Sequence, residues 1–180
     1  LIASYVLFYL SGYLIHFVLA RHVSPSTYRT IGVILSILTL LQILLMQGIP
    51  TAAAKYLAEG ADGKEIRNKS LLLQFFYTLL ICLFVYLLST VIADLLRDEI
   101  FIPYLKFLPM VIFMRSMNQL FNSFFGGYRE FRRQAMHLAI DSFPRAFFVF
   151  VFIYLGYGIY GVLGGYAAAS LTGLIYAIIL

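Results

Sequence analysis

Three ionisable residues, Arg115, Asp141 and Arg145, stand inside apolar runs long enough to cross a bilayer. A charge at the centre of a membrane helix costs about 2.5–3.5 kcal/mol on insertion scales. Three of them facing lipid would cost on the order of 8–10 kcal/mol, comparable to the whole stability of a typical domain. They must face protein or water, and an intramembrane charge is by default a candidate functional site. The alternative is an ion pair that only fixes packing. Arg115, Asn118, Gln119 and Asn122 follow i, i+3, i+4, i+7 spacing, and Gly126 extends the line. That spacing puts them on one helical face. Such a face needs a partner helix or a polar cavity. An arginine followed by three amides points to a cavity that binds polar and anionic groups.

His137, Asp141 and Arg145 recur at four-residue intervals. Asp141 precedes Arg145, the favourable order for a helical ion pair. Pro144 lies between them and leaves the carbonyl of Ile140 without its helical donor. A freed carbonyl beside a carboxylate is a candidate cation or proton site, with Asp141 the coupling group. Equally, Asp141 may be read as neutralising Arg145 or Arg115, with Pro144 a packing kink. His137, near a span end, is expected to snorkel. Tyr5, Tyr9 and Tyr13 form a stripe suited to packing or to stacking on sugar rings. Gly161, Gly165, Ala169 and Gly173 form a small-residue line for close helix approach.

The elements that must position these groups are six apolar segments, approximately 1–20, 30–58, 70–93, 104–125, 134–155 and 157–180. A span needs about 20 residues, and barrel strands would alternate over about ten, so these are helices. Gly48-Ile49-Pro50 interrupts the second as a kink or unwound turn, with Lys55 and Glu59 beyond it. The connections are short, so successive helices are antiparallel neighbours. Lys64, Arg67 and Lys69 occupy one loop, and Arg129, Arg132 and Arg133 another on the same side, which Lys55 joins. The opposite side carries Arg21, Arg29, Arg97 and Lys106. This bias puts both termini in the cytoplasm. The expected fold is an all-α integral membrane protein, with residues 1–180 forming a single six-helix transmembrane bundle.

Composition narrows the function classes. Hydrophobic residues make up 62% of the 180 and charged ones 12%, where soluble domains carry about 45–50% and about 25%. The net charge of +5 resides in loops, where it sets orientation, and does not indicate nucleic acid. Cys82 is the one cysteine; it reads as a small buried hydrophobe. No metal-ligand spacing, catalytic triad order or phosphate loop is present, so neither catalysis, cofactor nor metal is expected. The chain opens on apolar Leu1 without a basic stretch. It does not read as a cleaved signal peptide, and its native start is expected upstream.

Four stretches carry a family resemblance. Residues 20–28, Ala-Arg-His-Val-Ser-Pro-Ser-Thr-Tyr, resemble the first loop of polysaccharide-biosynthesis membrane proteins. These are the oligosaccharide flippases of the multidrug/oligosaccharidyl-lipid/polysaccharide exporter superfamily. Gln47 to Gly60 is similar to their second-helix signature, Phe125 to Phe131 to the loop before helix five, and Gly156 to Gly161 to the turn before helix six. Arg29 stands where the pattern usually has glycine. Members have twelve or fourteen helices in two lobes, so the resemblance implies an N-terminal half whose second lobe is missing from this chain. It further implies a plasma-membrane transporter that flips lipid-diphosphate-linked oligosaccharide by alternating access. Arg115, Arg145 and Lys55 would meet the diphosphate, and Asn118, Gln119 and Asn122 the polar head or sugar groups. Membrane lipids are the other expected partners. Two rivals remain open: a cation-coupled multidrug exporter of the same superfamily, and a non-transporting membrane scaffold. Two intramembrane arginines against one aspartate favour anionic cargo over cationic drugs.

Overall fold

The computed structural model describes residues 2–179 and is helical apart from short turns. Its elements are α1 (Ile2–His22), α2 (Pro25–Gln47), α3 (Ile49–Ala58), α4 (Gly63–Leu87), α5 (Ser89–Leu95), a 3-10 turn (Glu99–Phe101), α6 (Ile102–Gly127), α7 (Phe131–Tyr154) and α8 (Gly158–Ile179). Six stretches are long and apolar enough to span a membrane, with α2 and α3 together making the second. The six expected spans are all present. Leu1 and Leu180, at the ends of the first and last, lie outside the described residues.

The helices run further than the apolar runs. Hydropathy marks the hydrocarbon slab, whereas a helix continues until a capping residue stops it. Ser24 caps α2 by accepting from the Thr27 amide at 3.2 Å, with Pro25 in the first turn. Arg29 therefore lies within a helix, where glycine is not required. Asp62 accepts from the amides of Lys64 (2.9 Å) and Glu65 (3.3 Å), so α4 begins at Gly63. The basic residues expected in a loop at 60–69 instead ride the first turns of α4. Between α6 and α7, Arg129 takes a left-handed φ of 59° and its guanidinium reaches the Ala58 carbonyl at 3.5 Å.

The interruption in the second span is real. Met46 lacks its helical donor because Pro50 has no N–H, and the Thr51 hydroxyl donates to its carbonyl at 3.2 Å. Gln74 of α4 donates to the Leu45 carbonyl at 3.3 Å and to Ser116 Oγ at 2.6 Å. Thr78 joins Ser116 at 2.7 Å. The kink is thus tied to α4 and α6 by a buried polar cluster.

Helix α6 is the axis of the bundle, packing on α2, α3, α4, α7 and α8. Leu105, Leu108, Ile112 and Leu120 on it are fully buried. Helix α1 is peripheral: Ser4, Ser11, Ile15 and Leu19 are its buried residues, and it rests on α7 while scarcely touching α2. Cys82 is buried and donates to the Pro109 carbonyl at 3.3 Å. The small-residue line of α8 serves packing. A Cβ on Gly165 would stand 2.7 Å from the Val149 backbone nitrogen, and one on Gly161 3.1 Å from the Phe152 backbone. Gly173 is pressed by the Asn118 side chain.

Gly165→Ala should therefore force α7 and α8 apart and cost about 1–3 kcal/mol, read as a lowered melting temperature in detergent. Gly164→Ala should be tolerated, since its Cβ would meet only the Phe152 ring, at 3.6 Å.

Candidate functional site

The polar face of α6 opens on a cavity of about 250 Å³. Arg115, Ser116, Asn118, Gln119 and Asn122 form its back wall. Helix α7 adds His137, Leu138 and Asp141; α1 adds Tyr5, Phe8 and Tyr9; α2 adds Gln42, Leu45 and Met46. The walls come from the N-terminal halves of α1 and α7 and the C-terminal halves of α2 and α6. All four ends point to the side bearing the α3–α4 and α6–α7 turns, with Lys64, Arg67, Lys69, Arg129, Arg132 and Arg133. Asp141 lies about 15 Å along α7 from its start and Arg115 about 18 Å from the end of α6, at 1.5 Å per residue. In a hydrocarbon core about 30 Å thick both sit near mid-depth.

Asp141 is 5% exposed and receives a hydrogen bond from Asn118 Nδ2 at 2.9 Å. Arg115 Nη1 lies 3.9 Å from Asp141 Oδ2. That separation gives Coulomb attraction without a hydrogen bond. Arg115 Nε and Nη1 accordingly have no hydrogen-bond partner within the protein, nor do Gln42 Nε2, Asn118 Oδ1, Asn122 Oδ1 and His137 Nε2. Buried polar atoms are normally satisfied, and each left unpaired costs about 1–3 kcal/mol. Together with Gln74 Oε1 and Arg145 Nε, which also lack a partner, they form a polar cluster around the cavity whose hydrogen-bonding capacity the protein does not fill.

Arg145 behaves differently. It is 4% exposed, and its Nη2 donates to Ser11 Oγ at 2.6 Å and the Phe8 carbonyl at 3.1 Å. Its guanidinium lies 4.3 Å from the Phe8 ring centroid. It ties α7 to α1 behind the cavity wall instead of lining the cavity. Tyr166 of α8 serves both arginines as an aromatic face, 5.3 Å from Arg115 and 5.6 Å from Arg145. Two guanidiniums against one carboxylate leave a formal surplus of +1 in this cluster.

Other expectations sort as follows. Lys55 is on α3 with its side chain 71% exposed, 3.9 Å from Glu59 Oε1, outside the cavity. Its position about two turns beyond the kink turns it away from the α6 face. The carbonyl freed by Pro144 lies 3.4 Å from Thr172 Oγ1, but that hydroxyl is donated to the Ala169 carbonyl at 2.7 Å, so Ile140 keeps only a weak secondary contact. His137 does not snorkel but is 2% exposed, packed beside Phe125 and Tyr176 and lining the cavity. Tyr5 and Tyr9 reach the cavity, whereas Tyr13 is exposed and Gly126 faces Gln134. Sequence reasoning passed over Gln42 and Ser11, and their signal was simple: a polar side chain alone in an apolar run. Tyr166 carried no such signal among the fourteen tyrosines.

The fold and the whole chain both have counterparts. A solved structure described as MATE in the straight conformation superposes with a TM-score of 0.81 at 14% sequence identity, over 98% of this chain. That match spans 43% of the solved chain, so this bundle corresponds to less than half of it. No curated protein sequence matches significantly. The family model described as polysaccharide biosynthesis protein matches residues 1–180. With its six membrane helices folded like the matched part of that solved structure, the chain belongs to the polysaccharide biosynthesis protein family.

Proposed function

We propose that this chain is one lobe of an exporter that flips a lipid-diphosphate-linked oligosaccharide across the plasma membrane by alternating access. The observation that carries this reading is the guanidinium of Arg115 at mid-membrane, with two nitrogens unpartnered within the protein, in a cavity backed by Arg145 so that the surrounding charge cluster sums to +1. Arginine matches phosphate oxygens in a bidentate fork. Diphosphate oxygens would satisfy Nε and Nη1 and displace nothing but a loose contact to Asp141. Asn118, Gln119, Asn122 and Gln42 offer the amides that sugar hydroxyls or headgroup oxygens need. Tyr5 and Tyr9 offer faces for a ring. At about 250 Å³ the cavity suits the diphosphate end, not a whole oligosaccharide. The remainder of the cargo would occupy space shared with a second lobe, and the lobes would rock about it. Arg145 holds the α1 wall in place, and Lys55 acts at most as an outlying charge near the entrance. The reaction involves no covalent step and no cofactor.

A second reading has a specific observation behind it. Asp141 lines the same cavity, and a carboxylate there could anchor a cationic drug or take up a coupling cation or proton. The two readings divide on which residue controls binding. In the full-length protein, Arg115→Gln should weaken a lipid-diphosphate sugar about 10- to 100-fold in Kd, the loss of a charge-assisted hydrogen bond, with Arg115→Lys partly restoring it. Cationic dye binding lost in Asp141→Asn, with lipid-diphosphate binding absent, would establish the drug reading instead.

The cavity must also be wet. In a Cys82→Ser background, Gln119→Cys and Asn122→Cys should react with a membrane-impermeant thiol reagent, while Leu108→Cys, fully buried, should not. Protection of both cavity positions would favour a scaffold. The basic side is assigned to the cytoplasm. A reporter fused after Lys69 should register inside the cell and one after Asp98 outside; the reverse pattern would overturn the orientation.

A further inference from the structure

A second cavity, of about 230 Å³, lies at the basic end of the bundle and shares no residue with the first. Its rim is cationic: Arg67 from α4 and Arg133 from α7. Arg133 already holds both oxygens of Glu130, at 2.9 and 2.8 Å. Arg67 has no carboxylate within ion-pair distance among the described residues. The rim thus sums to +1, with Arg67 the uncommitted charge. The floor is aromatic, formed by Phe121 and Phe124 packed edge to face at 5.8 Å, with Tyr128 beside them. The Tyr128 hydroxyl fills the space over Gly63 at the start of α4, so its ring is fixed in the wall.

Depth decides what such a site can hold. Arg67 is four residues into α4 and Arg133 two into α7, about 3–6 Å along their axes. That is the headgroup level of a bilayer, with the aromatic floor directed toward the acyl region. A soluble phosphate could use only the rim. A zwitterionic lipid would bring its own cation to a positive rim. We propose that this cavity binds the phosphate of an anionic membrane phospholipid, with Arg67 on the phosphate and the Phe121–Phe124–Tyr128 surface under the glycerol and upper acyl carbons. The site is independent of the identity of the exported cargo.

The test is native mass spectrometry of the full chain in detergent titrated with phosphatidylglycerol or phosphatidylcholine. The protein should retain phosphatidylglycerol in preference. Arg67→Gln should weaken that retention about five-fold, the effect of one basic residue at an anionic surface. Arg67→Lys should keep most of it. Arg132→Gln, which alters an exposed cation outside the cavity, should leave it unchanged. Equal retention of phosphatidylcholine, an Arg67→Gln protein indistinguishable from the parent, or equal loss in Arg132→Gln would overturn the proposal. Displacement by free glycerol phosphate at matched concentration would also overturn it, reassigning the rim to a soluble phosphate ester.

Discussion

A hydrocarbon slab offers no hydrogen bonds, and every polar group at mid-depth must find its partner in the protein or in a cavity. The organisation of this bundle follows from that constraint. Where α2 breaks at Gly48, the released carbonyls are taken by Thr51 and Gln74. Where Pro144 interrupts α7, Thr172 of α8 stands over the Ile140 carbonyl at 3.4 Å. Ser116 closes the cluster with Gln74 and Thr78. Against that background the unpartnered atoms around the cavity stand out by their number, two of them on Arg115, although Gln74 Oε1 and Arg145 Nε also lack a partner.

The two arginines illustrate the difference between a structural and an available charge. Arg145 is enclosed by Ser11, the Phe8 carbonyl and two aromatic faces. Arg115 has one aromatic face and a carboxylate held just beyond hydrogen-bond reach. Asn118 contributes to that separation: its amide holds Asp141 at 2.9 Å while its other face is pinned against Gly173. The carboxylate is thus oriented by α6 and α8 before it meets the arginine. Asp141 lowers the cost of burying Arg115 without consuming its donors.

What could be read in the sequence is what a single helix dictates. Spacing placed Arg115, Asn118, Gln119 and Asn122 on one face, and all four line the cavity. The line from Gly161 to Gly173 implied close approach, and three of its glycines have no room for a side chain. Gly48 and Pro50 marked the break. What could not be read depends on how helices rotate against one another. Arg145 and Asp141 share a helix face by spacing, yet the Arg145 guanidinium turns to Ser11, more than a hundred residues away, and Asp141 turns to α6. Lys55 lies in a motif that resembles a cavity-facing one, yet the kink at Gly48 resets the helical phase and leaves it exposed. Helix ends were misplaced by several residues because polar capping residues, not the edge of the apolar run, terminate helices. Helix α4, which begins at Gly63 behind its Asp62 cap and not at Ser70, is one such case.

Helix α1 has the weakest attachment of any cavity wall. It buries a narrow stripe, makes little contact with α2, and is held to α7 through the Arg145 bonds. Yet Tyr5, Phe8 and Tyr9 on it form one side of the cavity. Arg145, expected from the sequence to meet the diphosphate, instead ties this wall to α7, and the Tyr166 ring lies against both its guanidinium and that of Arg115. An anion drawn to Arg115 would change the field at Tyr166 and at Arg145 together, since the two guanidiniums repel each other across one aromatic face. In the exporter reading, an anion on Arg115 would relieve that repulsion and firm the hold of Arg145 on Ser11 and the Phe8 carbonyl.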